Sequence, residues 1–274
     1  MYTTLSDFHA DLDKVERLLS LTRQIKELSG FQDFNFSNSE SIIVQERIDS
    51  TLEKAITDLQ SISRDNHSNL VILNGTLLLF IVGRFESFIK ETFEEYCRNI
   101  ADRVRNFTEL PKDMRDNLIR YTSEVISNPR KYGHAENGVR AFVKVMYDNM
   151  HNENAPIEIN YKCLSITSEN MRPDILSDLF KRAEVKNIWE RLSQQSKLQF
   201  FWESSDASGV RKKSESHLNG LMDKRNSIAH PSTSIIWPDA ESIIYDLNFF
   251  KTFSSVLIEV LPVYEIEVGV NRNA

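Results

Sequence analysis

The chain has 274 residues, of which 41% are hydrophobic and 10% aromatic, and this is enough apolar surface for a folded core. A disordered or fibrous chain is therefore excluded. The formal net charge of −7 also excludes a general nucleic-acid coating protein, which needs a broad basic field, although it permits a local basic site.

Turn residues are scarce. The 7 Pro and 8 Gly make up about 5% of the chain, where average usage is about 12%, and this deficit predicts long uninterrupted helices. The two cysteines, Cys97 and Cys163, are too few for a disulfide framework or a Cys-rich zinc site. Because the N-terminus is acidic and amphipathic and no apolar run nears about 18 residues, we expect a cytoplasmic protein without a membrane contact.

The N-terminal region carries two helical stripes. Apolar residues from Leu5 to Leu28 recur at alternating steps of three and four, which predicts one helix that is closed by Gly30. A second stripe runs from Ile42 to Ile62 after a polar loop. Residues 1–65 therefore predict a helical hairpin packed on the core. A dimerising coiled coil is the alternative, although the heptads are few.

The segment from Asn66 to Phe107 holds no proline and is apolar on more than one side. A helix that is hydrophobic all round is usually buried, so we expect this one at the centre of the fold. Pro111 and Pro129 bracket a shorter predicted helix over 112–126, and the pattern of 138–150 predicts another.

The pattern changes between residues 151 and 172, where IEINYKCLSIT is rich in β-branched residues and predicts a short strand or an extended arm. Helical patterns resume at Pro173 and continue to Pro231. The last long helix is predicted to start near Pro238 and to end at Pro262, which leaves residues 263–274 as an extended tail.

Several common catalytic signatures are missing. The sequence has no Gly-rich phosphate loop, no G-x-S-x-G, no H-E-x-x-H and no Cys pair, and its six histidines are scattered. We therefore expect no metal site and no cofactor.

One short motif remains, Arg225-Asn226-Ser227-Ile228-Ala229-His230, followed by Pro231. Residues five apart on an ideal helix differ by about 140° in azimuth, so Arg225 and His230 would not normally share a face. Proline disfavours the α conformation in the residue before it, so His230 should end the helix and turn its ring back toward Arg225. Arg211 and His217 have a comparable spacing, but no terminator follows His217.

With these residues the sequence resembles the HEPN superfamily of all-α ribonucleases and toxins, whose hallmark is an R-x4-6-H motif with a polar residue after the arginine. The phrase GRFESFIKETFEEY, from Gly83 to Tyr96, is similar to the long helix that often precedes this motif. The resemblance implies a mostly α fold, a HEPN-like helical bundle over residues 66–262 with an inserted region at about 128–210.

The same resemblance implies that Arg225 and His230 are catalytic. Asn226 would support them, and Glu86 or Arg84 would orient the arginine. It implies a metal-independent endoribonuclease that cleaves RNA by attack of a 2′-OH, leaves 2′,3′-cyclic phosphate and 5′-OH ends, and acts as a toxin or anti-phage effector with a neutralising or regulatory protein partner.

The residue types suit that chemistry. Histidine, with an unperturbed pKa near 6.5, can give or take a proton at neutral pH. Arginine donates two parallel hydrogen bonds to phosphate oxygens. Because the motif supplies one histidine per chain while in-line cleavage is most efficient with two proton-transfer groups, we expect a homodimer with a composite site.

Other interpretations stay open at this point. The chain could be a non-catalytic HEPN-like module that binds a protein or nucleic-acid partner, with Arg225 and His230 only capping helix carbonyls. Arg84 and Glu86 could form ion pairs. Two basic clusters could contact RNA, although such clusters are usually solvated faces: Arg211, Lys212 and Lys213, and Lys181, Arg182 and Lys186.

Overall fold

The computed structural model describes residues 4–28, 50–133, 136–151, 157–167, 169–230 and 236–270. Within these ranges the secondary structure is helical and contains no strand. The helices are α1 (Thr4–Leu28), α2 (Ser50–Asp65), α3 (His67–Ala101), α4 (Lys112–Ser127), α5 (Glu136–His151), α6 (Tyr161–Leu164), α7 (Pro173–Lys181), α8 (Ile188–Ser193), α9 (Ser196–Phe201), α10 (Ala207–Ala229) and α11 (Ala240–Val270), with 3-10 turns at Phe107–Glu109 and Pro129–Tyr132. The mostly α fold expected from the sequence is confirmed.

Helices α1, α3 and α11 form the centre of the bundle. Their buried faces meet in an aromatic cluster, in which Phe8 stacks on Phe88 at 4.7 Å between ring centroids and Phe85 stacks on Phe250 at 4.5 Å. Aromatic side chains bury the largest areas of any residues, and stacked pairs add to that burial energy. The central position expected for the helix beginning near Asn66 is therefore confirmed, although the helix ends at Ala101 rather than Phe107.

Hydrogen bonds and an ion pair hold α1 against this core. His9 Nε2 lies 2.8 Å from Ser254 Oγ on α11, and Lys251 Nζ lies 2.7 Å from Glu16 Oε2. At the far end of α1, the Ser63 hydroxyl of α2 donates to the carbonyl of Ile25. Both helices expected in the N-terminal hairpin are therefore present and in contact, while the loop expected between them, including Gly30, lies outside the described residues.

One face of α3 is left in solvent. Ile72 is 51% exposed and Phe80 is 47% exposed, and a Cβ at Gly83 would have no neighbour within 4 Å. By length and composition alone, the stretch Asn69–Ala101 could cross a membrane. The core helix of a soluble protein meets the same criterion, and the opposite face of α3 is buried in the aromatic cluster.

The expected end of the last helix at Pro262 is wrong, because α11 continues through this proline to Val270. The residues expected in an extended tail from 263 are thus helical up to 270. A proline inside a helix costs about 3 kcal/mol. Buried contacts offset this cost, since the Tyr264 hydroxyl donates to the carbonyl of Lys186 at 2.7 Å and the buried Glu265 accepts hydrogen bonds from Asn99 and Arg103.

No strand is present among the described residues between 151 and 172, and residues 157–160 are irregular. Residues 161–164 form the short helix α6 instead, and Cys163 and Leu164 are buried. The region expected as an insertion, about 128–210, shares the main core: Phe180 packs edge-on against Phe93, and Trp189 packs against Phe253. Its status as an insertion stays a prediction.

Candidate active site at the end of helix α10

Helix α10 carries both residues of the motif. Its N-terminus is capped by Asp206, whose carboxylate accepts from the backbone N–H groups of Ser208 and Gly209. The residues that bury its inner face recur at steps of four, four, three and then seven: Val210, Ser214, Leu218, Leu221 and Ile228. Arg225 lies four residues after Leu221 and three before Ile228, so this arginine occupies the inward-facing stripe at the end of the helix.

His230 ends α10. Its backbone has left the helical region, with φ −125° and ψ 73°, and its N–H still donates to the carbonyl of Asn226 at 3.0 Å. The sequence-based expectation that the helix stops at the residue before Pro231 is confirmed, while Pro231 itself lies outside the described residues. The His230 side chain is exposed, whereas Arg225 is half-buried.

Asn226 connects the arginine to a distant loop. Its side-chain oxygen accepts one hydrogen bond from Arg225 Nη1 at 3.2 Å and another from Asn170 Nδ2 at 2.6 Å. The amide of Asn226 therefore holds the guanidinium on one side and is itself held by the loop between α6 and α7. The supporting role expected of Asn226 stays a prediction.

The loop residue Asn170 is a member of the site that sequence reasoning missed. Two further bonds lock its segment in position: Arg172 Nη2 donates to Asp223 on α10 at 2.6 Å, and the N–H of Met171 donates to Glu86 Oε1 on α3 at 3.1 Å. No motif spacing could have identified Asn170, because 56 positions separate it from Asn226.

The two α3 residues expected near the motif have different partners. Glu86 reaches the site indirectly, through the Met171 N–H. Arg84 donates from Nε to Asp11 Oδ2 on α1 at 2.8 Å, so this residue forms the interhelical ion pair that was the alternative interpretation. Among the described residues Arg84 has no hydrogen bond to the motif, and a role in orienting Arg225 is not supported by its position.

The second Arg–His spacing has a structural explanation. Arg211 pairs with Glu215 at 2.8 Å, and the ring of His217 packs among Trp202, Tyr245 and Phe249 with Nε2 at 3.1 Å from Asp246 Oδ1.

One member of the basic cluster Lys181, Arg182 and Lys186 is likewise part of the core. Arg182, with little exposed surface, donates to the carbonyls of Leu164 and Ile166 and pairs with Asp178. This arginine is therefore unavailable to RNA.

The electrostatic setting of Arg225 differs from that of Arg84 and Arg172, two half-buried arginines described above. Arg84 and Arg172 each pair with a carboxylate, but no carboxylate lies within ion-pair distance of Arg225 in the described part of the chain. In the same described ranges, neither the Arg225 nor the His230 side chain donates a hydrogen bond to a helix carbonyl. The alternative that these two residues only cap helix carbonyls is therefore not supported. A guanidinium without a counter-ion is suited to bind an anion such as phosphate.

The described ranges hold no group of three His, Cys, Asp or Glu side chains that could bind a metal ion. Near the end of α10 one arginine and two side-chain amides are joined by hydrogen bonds, and an exposed histidine ends the helix. The arginine is suited to bind an oxyanion, and a histidine can transfer a proton.

An all-α bundle with an arginine and a histidine in the last turns of one helix is the arrangement of the HEPN class. The RiboL-PSP-HEPN family model matches residues 44–262, which is more than half of the chain and includes the motif. The chain therefore belongs to the RiboL-PSP-HEPN family. A search of curated proteins and a search of solved structures found no match.

Proposed function

We propose that the protein is a HEPN-type endoribonuclease that cleaves RNA with side chains alone. The observation that carries this proposal is Arg225, a half-buried arginine without a carboxylate partner among the described residues, held by Asn226 one turn before the exposed His230. Arg225 would bind the scissile phosphate with two parallel hydrogen bonds and stabilise the charge that develops on its oxygens.

In the proposed reaction, a histidine takes the proton of the 2′-OH, and the 2′ oxygen attacks the adjacent phosphorus. The bond from phosphorus to the 5′ oxygen breaks, and this oxygen takes a proton from a second acid. The products are a 2′,3′-cyclic phosphate and a 5′-OH. His230 would supply one of these two proton transfers.

The direct experiment compares purified wild-type protein with His230→Ala on single-stranded RNA in excess EDTA. We expect wild type to leave cyclic phosphate ends and His230→Ala to be slower by about 100-fold or more, since general acid–base catalysis contributes about 10²–10⁴-fold. His151→Ala is the matched control, because His151 is also exposed but belongs to α5. Cleavage that stops with chelator and returns with magnesium would contradict the mechanism.

The same variants test the biological role. If the protein is a toxin or an anti-phage effector, its induced expression should slow growth, and His230→Ala should relieve the effect. Equal growth with both proteins soluble, together with no cleavage of RNA by wild type, would favour the alternative of a non-catalytic binding module.

We also propose that two chains form a two-fold dimer, because each motif has one histidine and the reaction needs two proton-transfer groups. The exposed apolar face of α3 around Ile72 and Phe80 is a suitable interface. Gly75, three residues after Ile72, is buried against Trp237 and Ile228, so the motif helix packs on the other side of the same part of α3.

A mixing experiment tests the shared site. When wild-type and His230→Ala chains are mixed one to one and re-annealed, about a quarter of dimers keep both histidines. Activity should then be roughly 25% of an all-wild-type sample at equal total protein, whereas independent sites give about 50%. A fully active monomer in light scattering would contradict the dimer.

A further inference from the structure

A cleft of about 860 Å³ lies between the end of α9 and the first half of α11. Its walls carry three aromatic rings. Phe200 at the tip of α9 is 86% exposed, and Tyr245 on α11 is 46% exposed. Phe201 packs between them and the core, with its ring centroid 5.3 Å from that of Tyr245. Because most of the Phe200 ring is in solvent and does not pack in the core, the ring is available to a ligand.

Much of the cleft's polar lining is uncharged. Amide groups come from Gln199 and Asn248, and hydroxyl groups come from Ser204, Ser205 and Thr252. The exposed Asn248 side chain has no hydrogen bond among the described residues, so both its carbonyl and its NH₂ can bind a ligand. Aromatic faces next to amide and hydroxyl groups are the features with which proteins hold an unstacked nucleic-acid base.

The charges around the cleft do not favour a phosphate. Its two lysines are already paired, Lys197 with Glu259, and Lys251 with Asp13 and Glu16. Glu203 adds a negative charge to the lining. Since no unpaired cation lines the cleft in the described residues, the favoured occupant is a flat, neutral group rather than an anion.

Helix α11, which lines the cleft, also contacts the helix α10 that carries the motif. Lys224, the residue before Arg225, lies 3.3 Å from Ser242 Oγ and 3.3 Å from Asp246 Oδ2 on α11. Tyr245 and Asn248 follow on the same helix.

We propose that this cleft binds one unstacked base of the RNA substrate. Phe200 and Tyr245 supply the stacking surfaces, and Asn248 bonds the edge of the base. This inference rests on the proposed function for its substrate, but it predicts binding, which can be measured without cleavage.

The experiment uses the full chain with His230→Ala, so that the RNA stays intact. The affinity for a labelled single-stranded RNA of about 12 nucleotides is measured by fluorescence anisotropy. Adding Phe200→Ala should weaken binding by about 5- to 100-fold, the range found when one stacking ring is removed. Phe200→Tyr should bind as tightly as the parent, because the ring remains.

Tyr147→Ala provides the matched control, since Tyr147 is also an exposed aromatic, 58% accessible, but on α5. It should leave the affinity unchanged. A second control is an RNA of the same length that lacks its bases. Phe200→Ala and the parent should bind this ligand equally, and Phe200→Ala should not change the slope of affinity against salt, because no phosphate contact is lost.

The results separate this inference from the proposed function. Wild type that cleaves RNA while Phe200→Ala binds it normally would overturn the base site alone, and would leave a protein partner as the occupant of the cleft. Binding that depends on Phe200 in a protein that never cleaves RNA would support the base site and reject the nuclease. If Phe200→Ala weakened the binding of normal RNA and of base-free RNA equally, the base site would also be overturned.

Discussion

Gly75 and Gly83 lie eight residues apart on α3, and the structure predicts opposite effects when each is replaced by alanine. A Cβ at Gly75 would lie 2.4 Å from Cζ3 and 2.5 Å from Cε3 of Trp237. A Cβ at Gly83 would meet nothing within 4 Å. Both glycines are inside the helix, so neither is needed for a turn.

The expected magnitudes follow from two effects. Alanine stabilises a helix interior by about 0.8–1 kcal/mol relative to glycine, and this gain applies at both positions. At Gly75 the overlap forces Trp237 to move, and overpacking costs about 1–3 kcal/mol. Gly83→Ala should therefore stabilise the protein by up to about 1 kcal/mol, whereas Gly75→Ala should be destabilising by up to about 2 kcal/mol.

Urea unfolding followed by circular dichroism measures both free energies of unfolding. The overlap explanation also predicts that Gly75→Ala becomes stabilising when Trp237→Ala removes the ring, so that the two substitutions are not additive. Equal effects of the two alanines, or the same loss from Gly75→Ala with and without Trp237, would refute this reasoning. Because Trp237 follows the motif closely in sequence, Gly75→Ala should also lower any activity of the site.

Two other predictions concern single side chains. Asn170→Asp keeps the shape of the side chain, but a carboxylate cannot donate a hydrogen bond to Asn226, so Arg225 should lose its fixed position. RNA cleavage in turnover assays should fall about 10-fold with little change in melting temperature. Full activity of this variant would contradict the role of Asn170. Burial and the nearby Lys251 lower the pKa of His9 below 6.5, so the unfolded state binds more protons and stability should fall as pH drops below this value. Thermal melts at pH 7.5 and 5.5 should show this loss in wild type and a smaller one in His9→Gln, and an unchanged pH dependence in the variant would contradict it.

Local chemistry explains what the sequence determined about this protein. The scarcity of proline and glycine and the apolar spacing predict an all-α fold, because helix formation depends on residues three and four apart. The end of α10 was predictable for the same reason, since Pro231 restricts His230 directly. Arg225 and His230 could therefore be assigned to the last turns of one helix without any knowledge of the fold.

The tertiary structure alone decided which distant groups meet at that helix end. Asn170 reaches Asn226 because Arg172 and Met171 anchor their loop to α10 and α3, and none of these contacts leaves a periodic pattern. Packing likewise keeps α11 helical through Pro262, against the preference of the proline itself. Contacts between residues far apart in sequence depend on how whole helices pack, and a local pattern cannot specify that.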